Sequence, residues 1–360
     1  MIFRTIPNQF MCVRLGLNHY DKYCDSLKSQ GDKNVKKILL LDPSIATSNV
    51  GDEIITECVN QELAFLTEGA FVYRIPTHLP AFHSYATWIK SCVAQSYGAC
   101  DYKFAGGSNL MVKNMLSYYP QWNINLFNCK PLAGTILVGV GAGAEEKSNH
   151  YTERLYRKVL SADYFHSVRD DRSKAYVESL GLKAINTGCV TMWKLTPEFC
   201  RDIPREKASR CVFTLTGRPQ GHPVRDTDQQ LVDILKRCYD TVYFWVQGDL
   251  DWAYFQKLER TDGIKIVPPS KDAYHQLLCE DDLDYIGTRL HGGVYAMRHK
   301  KRAIIIAIDE RASAINAANN LNCIEQSAIA TELEPMIRSE FETKIVMPFD
   351  RIEAWRSQFR

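Results

Sequence analysis

The sequence predicts an α/β protein with two parallel-sheet domains that face a shared cleft. Short apolar segments of strand length alternate with segments of helical periodicity through most of the chain, a pattern typical of parallel sheets with crossover helices. The alternation runs in two successive series, and 360 residues are more than one hydrophobic core usually serves. Two domains in tandem are therefore expected.

The first series begins with Lys-Ile-Leu-Leu-Leu at Lys37–Leu41, an apolar run typical of a buried parallel strand. Asp52 is expected to cap the next helix, because a carboxylate at a helix start accepts free backbone N–H groups. Gly181 ends the last helix, as glycine commonly does. The further strands predicted are Phe71–Arg74, Tyr102–Ala105, Thr135–Val140 and Tyr164–Ser167, and the helices are Glu53–Val59, Ala86–Ser96, Tyr151–Ser161 and Ser173–Leu180.

The second series starts after Pro204 and ends in a helix that is expected to pack back on the first domain. Its predicted strands are Ser209–Thr216, Val242–Val246, Ile264–Val267, Leu283–Ile286 and Arg302–Ile308, and its helices are Gln229–Cys238, Leu250–Leu258, Tyr274–Glu280, Gly292–Arg298 and Phe349–Phe359. The predicted organisation is an N-terminal extension over 1–36, domains over 37–204 and 205–340, and a C-terminal segment over 341–360.

Composition narrows the classes of partner. The net charge of +2 does not point to nucleic acid or to an anionic membrane, so an anion site must come from local arginines. None of the twelve cysteines forms a Cys-x-x-Cys motif, so no metal site is expected. Most of the cysteines are predicted to be small buried side chains. No apolar run reaches the roughly 18–20 residues that cross a bilayer, and no secretory signal is visible, so a cytoplasmic protein is expected.

The loop Gly287-Thr288-Arg289-Leu290-His291-Gly292-Gly293 follows a predicted strand and opens a helix. A helix start attracts anions through its free N–H groups and its dipole. Arg289 adds a guanidinium fork for carboxylate or phosphate, and His291 exchanges protons near neutral pH. The loop is therefore a candidate for anion binding with acid–base chemistry. The alternative is a strand-to-helix turn with a structural histidine.

Two more loops at strand ends are basic. Ser167-Val168-Arg169-Asp170-Asp171-Arg172-Ser173 offers Arg169 and Arg172, with Asp170 or Asp171 to orient them, and its alternative is a surface ion-pair cluster capped by Ser173. Thr216-Gly217-Arg218-Pro219 offers Arg218, and its alternative is a solvated loop. The glycine-rich segments at 106–109 and 139–143 lack the spacing of a dinucleotide-binding loop, and kinase, esterase and zinc-protease motifs do not occur.

Several of these loops together resemble the polysaccharide pyruvyl transferase family, from about Lys37 to about Leu333. The matching segments, in chain order, are Asn49-Val50-Gly51-Asp52, Gly106-Gly107-Ser108-Asn109-Leu110, Ser167–Ser173, Gly188-Cys189-Val190-Thr191-Met192-Trp193 and Thr288-Arg289-Leu290-His291. Two departures stand out: Ala105 replaces the first glycine of a Gly-Gly-Gly loop, and Gly217 intervenes before Arg218.

The resemblance implies a glycosyltransferase-B-like fold of two Rossmann-like domains. It also implies transfer of a pyruvyl group from phosphoenolpyruvate to a sugar diol as a cyclic ketal, in the synthesis of exopolysaccharide or cell-surface glycan. Arg289 and His291 inherit the catalytic donor-site role, with His291 as general acid. The residues expected to bind the donor anions are Arg169, Arg172, Arg218 and Gly292. The residues expected to position the acceptor or the loops are Asn49, Asp52, Gly107, Ser108, Asp170 and Ser173, and either Asp52 or Asp170 is a candidate base.

The expected partners are phosphoenolpyruvate as donor substrate, without a further cofactor or metal, and a sugar or lipid-linked oligosaccharide as acceptor. A peripheral position near a membrane and a homo-oligomer stay open. The competing hypothesis is a glycosyltransferase or nucleotide-sugar enzyme on the same fold. It calls for an acidic residue that holds a ribose near Gly287–Gly293, but the acidic residues there, Glu280, Asp281, Asp282 and Asp284, lie before or within the strand. A non-catalytic glycan-binding relative is the third hypothesis.

Overall fold

The computed structural model describes residues 35–83, 87, 91–116, 121–143, 147–219 and 221–360. The predicted N-terminal extension therefore lies outside the described residues, except for its last two positions. The predicted helix Ala86–Ser96 lies partly outside them, and a helix over Cys92–Gly98 covers the end of the predicted range. None of the described helices is both long enough and apolar enough to cross a membrane.

The first domain is built on a parallel sheet with the strand order β2-β1-β3-β4. A pair of short strands, β5 and β6, extends it through a parallel bridge between Val140 and Val168. The strands are β1 Lys37–Asp42, β2 Phe71–Pro76, β3 Tyr102–Gly106, β4 Thr135–Val138, β5 His166–Val168 and β6 Ala184–Asn186. The sequence predicted the first four well, placed β5 too early and missed β6.

Helices of the first domain follow the strands, as the alternating pattern predicts. Their bounds are α1 Gly51–Glu62, α2 Ala64–Thr67, α3 Cys92–Gly98, α4 His150–Val159, α5 Asp171–Ser179 and α6 Pro197–Cys200. The prediction that Asp52 caps α1 is wrong, because the cap position is Val50 and Asp52 lies inside the first turn. The Asp52 side chain instead accepts a hydrogen bond of 2.5 Å from Thr47 Oγ1.

The second domain has a six-stranded parallel sheet with the order β12-β11-β10-β7-β8-β9. Its strands are β7 Arg210–Thr214, β8 Thr241–Trp245, β9 Lys265–Val267, β10 Leu283–Gly287, β11 Ala303–Ala307 and β12 Cys323–Glu325. Its helices, with the C-terminal helix, are α7 Asp226–Cys238, α8 Asp251–Phe255, α9 Lys271–Leu278, α10 Leu290–Arg298, α11 Glu310–Asn319, α12 Glu334–Arg338 and α13 Phe349–Ser357. The predicted pair of parallel-sheet domains is confirmed.

The two domains share one large apolar cluster, which reaches from Ile54 and Ile55 of α1 to Val294 and Tyr295 of α10. Polar contacts surround this cluster. Lys271 pairs with Glu57 at 2.7 Å, and Arg298 of α10 donates to the backbone oxygen of Thr191 at 3.1 Å. The domains therefore meet through a packed interface along α1 and α10, and the cleft lies beside it.

The C-terminal helix α13 lies against the first domain. Trp355 is completely buried, and its indole Nε1 donates to the backbone oxygen of Phe165 at 2.9 Å. The Trp355 ring also makes edge contacts with Phe104 and Phe359. The end of the chain thus closes the apolar face of the first sheet.

We expect Trp355→Ala to lower the free energy of unfolding by about 3–5 kcal/mol, because it removes a large buried side chain and leaves a cavity. Urea denaturation followed by circular dichroism measures this loss. Trp252→Ala is the matched control, since Trp252 is 41% exposed, and it should change stability by less than about 1 kcal/mol. Equal losses in the two variants would contradict the structural role given to α13.

Candidate active site

A cavity of about 500 Å³ lies between the two domains, at the carboxyl ends of both parallel sheets. The loops that line it follow β1, β2, β3 and β5 in the first domain and β7, β8, β10 and β11 in the second. Its polar lining includes Thr47, Asn49, Asp52, His78, Ser108, Asn109, Arg169, Thr216, Gln247, Thr288, Arg289, His291 and Asp309. Ligands of parallel α/β sheets bind in this position, so the cavity is the candidate active site.

Topology explains why the cavity forms here. In the first sheet, β2 is added on one side of β1, and β4 is added on the opposite side, next to β3. In the second sheet, β8 and β9 are added on the side of β7, and β11 and β12 on the side of β10. Crossover helices leave a crevice at such a reversal of strand order. Asn49 and Ser108 follow the first pair of strands, and Thr216 and Arg289 follow the second pair. The two crevices face each other and form one site.

Arg289 occupies the cap position of α10. Its guanidinium pairs with the carboxylate of Asp251, and its Nε donates to the backbone oxygen of Leu215 at 3.3 Å. Its backbone N–H bonds to Thr214 Oγ1 at 3.3 Å. Nη1 of Arg289 makes no hydrogen bond within the part of the chain that the structure describes, so the side chain is held in place with a donor group left for a ligand.

Asp251 anchors three loops at one point. Its fully buried carboxylate accepts the N–H of Gly217 at 2.8 Å and the N–H of Gly248 at 2.7 Å, in addition to the Arg289 guanidinium. Gly217 has to be glycine here, because a Cβ would lie 2.5 Å from the backbone oxygen of Leu250. The loops after β7, β8 and β10 are therefore fixed relative to one another.

His291 lies in the first turn of α10 and lines the cavity. Its Nε2 is 3.8 Å from Sγ of Cys189, a buried residue of the first domain whose Sγ lies 3.2 Å from Thr191 Oγ1. The imidazole of the second domain is thus contacted by a side chain of the first. Gly292 packs closely against the loop after β8, since a Cβ there would lie 2.8 Å from Gln247 Oε1, and it is not among the residues that line the cavity.

Asp52 and His78 form a second polar group, on the first-domain wall of the cavity. The distance from His78 Nε2 to Asp52 Oδ2 is 3.9 Å. Burial raises the pKa of Asp52 above its usual value, although the hydrogen bond from Thr47 and the charges of His78 and Arg289 act in the opposite direction. Part of the Asp52 population therefore keeps its proton at a higher pH than an exposed aspartate would.

Asn49 and Gln247 join the two walls. Gln247 Nε2 donates to Asn49 Oδ1 at 3.0 Å, and the Val50 N–H donates to the backbone oxygen of Gln247 at 2.9 Å. The Asp249 N–H donates to the backbone oxygen of Ser48 at 3.0 Å. The structure thus places Asn49, a predicted loop-positioning residue, in a contact that fixes the loop after β1 against the loop after β8.

Arg169 lies where the cavity opens into a second chamber of about 1100 Å³. Its guanidinium bonds to Asn109 Oδ1 and is largely buried. Arg172 lines only the second chamber and donates to the backbone oxygen of Gly143 at 3.1 Å. The structure therefore brings Arg169 to the candidate active site and places Arg172 beyond it.

Four other predicted site residues make hydrogen bonds or packing contacts within the protein. Asp170 lines the second chamber, but its Oδ1 caps α5 by accepting the Ser173 N–H at 2.7 Å. Ser173 is buried and accepts the Ala142 N–H at 2.7 Å. Arg218 lies 3.4 Å from His222 and is not among the residues that line the cavity. Gly107 has φ +61° and packs against Ile55, whereas the neighbouring Ser108 does line the cavity.

Three residues of the site, His78, Asp251 and Gln247, are not predicted from the sequence. His78 follows the end of β2 by two residues, so its position after a strand is a usable signal. Asp251 and Gln247 follow β8 in the same way. In the sequence, however, single polar residues near a short helix look the same as surface residues, because their partners come close only in the folded protein.

Comparison with known proteins identifies the family. The family described as polysaccharide pyruvyl transferase matches residues 49–271, which is more than half of the chain. The chain belongs to the polysaccharide pyruvyl transferase family. The predicted resemblance is confirmed, and membership supports a transferase. The matched range contains the loops with Asn49, Ser108 and Arg169 and ends before Thr288, so the Arg289–His291 segment lies outside it. No curated protein matches the chain.

Comparison with a solved structure at a TM-score of 0.50 confirms the glycosyltransferase-B-like fold. S. aureus MnaA in complex with UDP has a TM-score of 0.50 and 10% sequence identity, over 90% of this chain and 96% of that chain. The UDP-GlcNAc 2-epimerase of Neisseria meningitidis bound to UDP-GlcNAc has a TM-score of 0.48 and 11% identity, over 90% and 98% of the two chains. At such identities the likeness concerns the fold alone.

The raised pKa of Asp52 has a consequence for stability. The folded protein binds a proton at Asp52 more tightly than the unfolded chain does. The protonated carboxyl therefore adds to the free energy of unfolding at low pH, and this contribution is lost as the pH rises through the pKa of Asp52 in the folded protein. Asp52→Asn cannot ionise, and we expect it to raise the melting temperature at about pH 7.5 and to differ less from the native protein at about pH 4.

Differential scanning calorimetry at both pH values measures this difference. Asp240→Asn is the control, because Asp240 is exposed and the substitution should change stability by less than about 0.5 kcal/mol. A lower melting temperature for Asp52→Asn at the higher pH would show that the charged carboxylate stabilises the fold, which is the opposite of what its raised pKa predicts.

Proposed function

We propose that this protein transfers a pyruvyl group from phosphoenolpyruvate to two hydroxyls of a sugar, with release of phosphate and formation of a cyclic ketal. The observation that supports this proposal most is the pair of arginines, Arg289 and Arg169, that reaches one cavity from opposite domains. Family membership agrees with pyruvyl transfer, and the donor, the acceptor and the ketal chemistry are what we propose here.

The donor has two anionic groups, a carboxylate and a phosphate, and the cavity offers matching donors. Arg289 and the first N–H groups of α10 form one end of the site, because a helix start and a guanidinium both favour anions. Arg169 lies at the other end, at the junction with the second chamber. A small dianionic donor between these two positions is neutralised from both sides.

His291 is the proposed general acid. Protonation of the methylene carbon of phosphoenolpyruvate makes the adjacent carbon electrophilic, and a sugar hydroxyl then adds to it. Phosphate leaves as its C–O bond breaks, and a second hydroxyl closes the ketal. Of the two hydroxyl protons that are lost, one replaces the proton given to the methylene carbon and the other leaves with phosphate, so the reaction balances without a further cofactor or metal.

The second chamber is the proposed acceptor region. Its volume of about 1100 Å³ is roughly twice that of the inner cavity, and it is lined by both domains and by the C-terminal segment. Its lining combines arginine and aspartate side chains, which can hydrogen-bond to the hydroxyls of a sugar, with apolar ones. A sugar or lipid-linked oligosaccharide could therefore present its diol at Arg169 while the rest of the glycan fills the chamber.

The nucleotide-sugar hypothesis has less support from the site. It calls for a carboxylate that holds a ribose near the start of α10. Asp284 is buried in an ion pair of 2.8 Å with Arg302 and accepts a hydrogen bond of 2.7 Å from Tyr239. Asp282 accepts a hydrogen bond from Ser209. Both lie at the amino end of β10, which is the end of the strand away from the cavity.

We expect isothermal titration calorimetry to detect phosphoenolpyruvate binding to the native protein. Arg289→Ala should weaken that binding by about 10–100-fold, because a charge-assisted contact to the donor contributes about 1.5–3 kcal/mol. Arg289→Lys keeps the charge but loses the fork that Asp251 and Leu215 hold, and it should fall between the two. Arg201→Ala, an exposed arginine far from the cavity, is the control.

Phosphate release on addition of a panel of free oligosaccharides and nitrophenyl hexosides, with mass spectrometry of the products, then tests for ketal formation. If the native protein ignores phosphoenolpyruvate and binds a uridine or guanosine nucleotide instead, the proposed function is wrong and the nucleotide-sugar hypothesis replaces it.

A further inference from the structure

We propose that His78, with Asp52 as its charged partner, is the base that removes the proton from the attacking hydroxyl of the acceptor sugar. The proposal rests on the proposed function and supplies the proton acceptor that it still lacks. His78 and Asp52 belong to the first-domain wall of the cavity, whereas Arg289 and His291 belong to the second-domain wall. The two proton transfers of the reaction would then occur on opposite sides of the bound donor.

The position of His78 is fixed by two backbone hydrogen bonds of the preceding residue, Thr77. The Thr77 N–H donates to the backbone oxygen of Asp42 at 3.2 Å, and the backbone oxygen of Thr77 accepts the Asn123 N–H at 2.7 Å. The His78 ring is mostly buried yet lines the cavity. A side chain so held after the end of β2 faces any ligand that enters the crevice beside β1.

The hydrogen bonding of His78 differs from that of a structural histidine. Its Nε2 is buried and has no hydrogen-bond partner among the described residues. His166, in the same domain, is a buried structural histidine whose Nδ1 accepts the Leu137 N–H at 3.2 Å and whose Nε2 lies 3.0 Å from the backbone oxygen of Ser161. Buried polar atoms are nearly always paired, so an unpaired ring nitrogen at a cavity indicates that a ligand supplies the partner.

A second unpaired acceptor lines the same cavity from the other domain. Gln247 Oε1 is buried and lacks a hydrogen-bond partner in the described part of the protein, while its Nε2 donates to Asn49, which fixes the orientation of the amide. Two buried acceptors, His78 Nε2 and Gln247 Oε1, suit a ligand with two hydroxyl groups. An acceptor sugar that forms a ketal needs two hydroxyls.

Asp52 gives His78 the electrostatic support that a base needs. A carboxylate 3.9 Å from Nε2 stabilises the imidazolium that forms when the proton is taken up. Thr47 donates to the same Oδ2 at 2.5 Å and holds it toward the cavity. The other charged groups that act on Asp52 are Arg289, across the cavity, and Asp42, which lies behind it in the first domain.

The proposed step is a simple proton and bond exchange. The acceptor oxygen bonds to the central carbon of the donor as its proton moves to His78 Nε2, while His291 delivers a proton to the methylene carbon. His78 then returns its proton to the phosphate that leaves when the carbon–oxygen bond breaks. The second hydroxyl closes the ketal at the same carbon, and its proton replaces the one that His291 gave to the methylene carbon. Both histidines are thereby restored, and no oxidant, reductant or further reactant enters.

The test separates donor binding from turnover in the full-length protein. His78→Gln and His78→Ala should bind phosphoenolpyruvate with a Kd within about twofold of the native value, whereas ketal formation should fall by about 10²–10⁴-fold. Added imidazole should restore part of the turnover of His78→Ala, in proportion to its concentration, because a free base replaces the missing one. His150→Gln, an exposed histidine outside both chambers, should behave like the native protein.

Three results would overturn the assignment: ketal formation by the variants at the native rate, loss of phosphoenolpyruvate binding together with turnover, or loss of turnover that imidazole does not restore. A failure of the proposed function is a different observation, because it appears in the native protein as absence of phosphoenolpyruvate binding. In that case the same variants are compared in glycosyl transfer from a UDP-sugar, where an acceptor-step defect with intact nucleotide binding still supports His78 as the base.

Discussion

The buried carboxylate of Asp251 is the contact on which the second-domain half of the site depends. A carboxylate removed from water is stable only when its oxygens are paired, and here two backbone N–H groups and one guanidinium pair with it. Those donors come from the loops after β7, β8 and β10. One side chain thus holds Arg289 in its place at the start of α10 and brings together three loops that are far apart in sequence.

The same arrangement accounts for a departure from the family pattern. Gly217 intervenes before Arg218, where the family resemblance leads one to expect an arginine straight after the strand. The backbone of Gly217 packs on Leu250 and Asp251 too closely to admit a Cβ, and Arg218 turns away toward His222. The cationic partner of the second-domain loops is therefore Arg289, and the opposite wall supplies Arg169.

The two walls of the cavity are held in register by backbone as well as side-chain contacts. The segment Ser48–Val50 bonds to the segment Gln247–Asp249 through two backbone hydrogen bonds and one side-chain bond, and the shared apolar cluster lies beside it. Rigid placement matters because the proposed donor must meet groups from both domains at once. Positioning of this kind removes an entropic cost from the reaction itself.

The sequence predicted the features that arise from local patterns and missed those that arise from long-range pairing. Apolar runs identified most strands, and position after a strand and before a helix identified Arg289 and His291. The strands β6 and β12 have only three residues each, too few for a periodic pattern. Asp52 resembles a helix cap because its partner Thr47 lies in a loop whose path the sequence does not specify. Asp251 resembles a surface residue because two of its three partners are 34 and 38 positions away.

Unpaired polar atoms supply a criterion that does not depend on recognising any motif. Leaving a buried polar group without a partner costs about 1–3 kcal/mol, so a fold tolerates such groups where a ligand can complete them. His78 Nε2 and Gln247 Oε1 are two of these atoms, and they line one cavity from opposite domains. Asp52, whose pKa burial raises, lies beside the first of them. These two unpaired acceptors therefore lie where the arginines and His291 also meet, and a donor with two anionic groups beside an acceptor with two hydroxyls would satisfy them together.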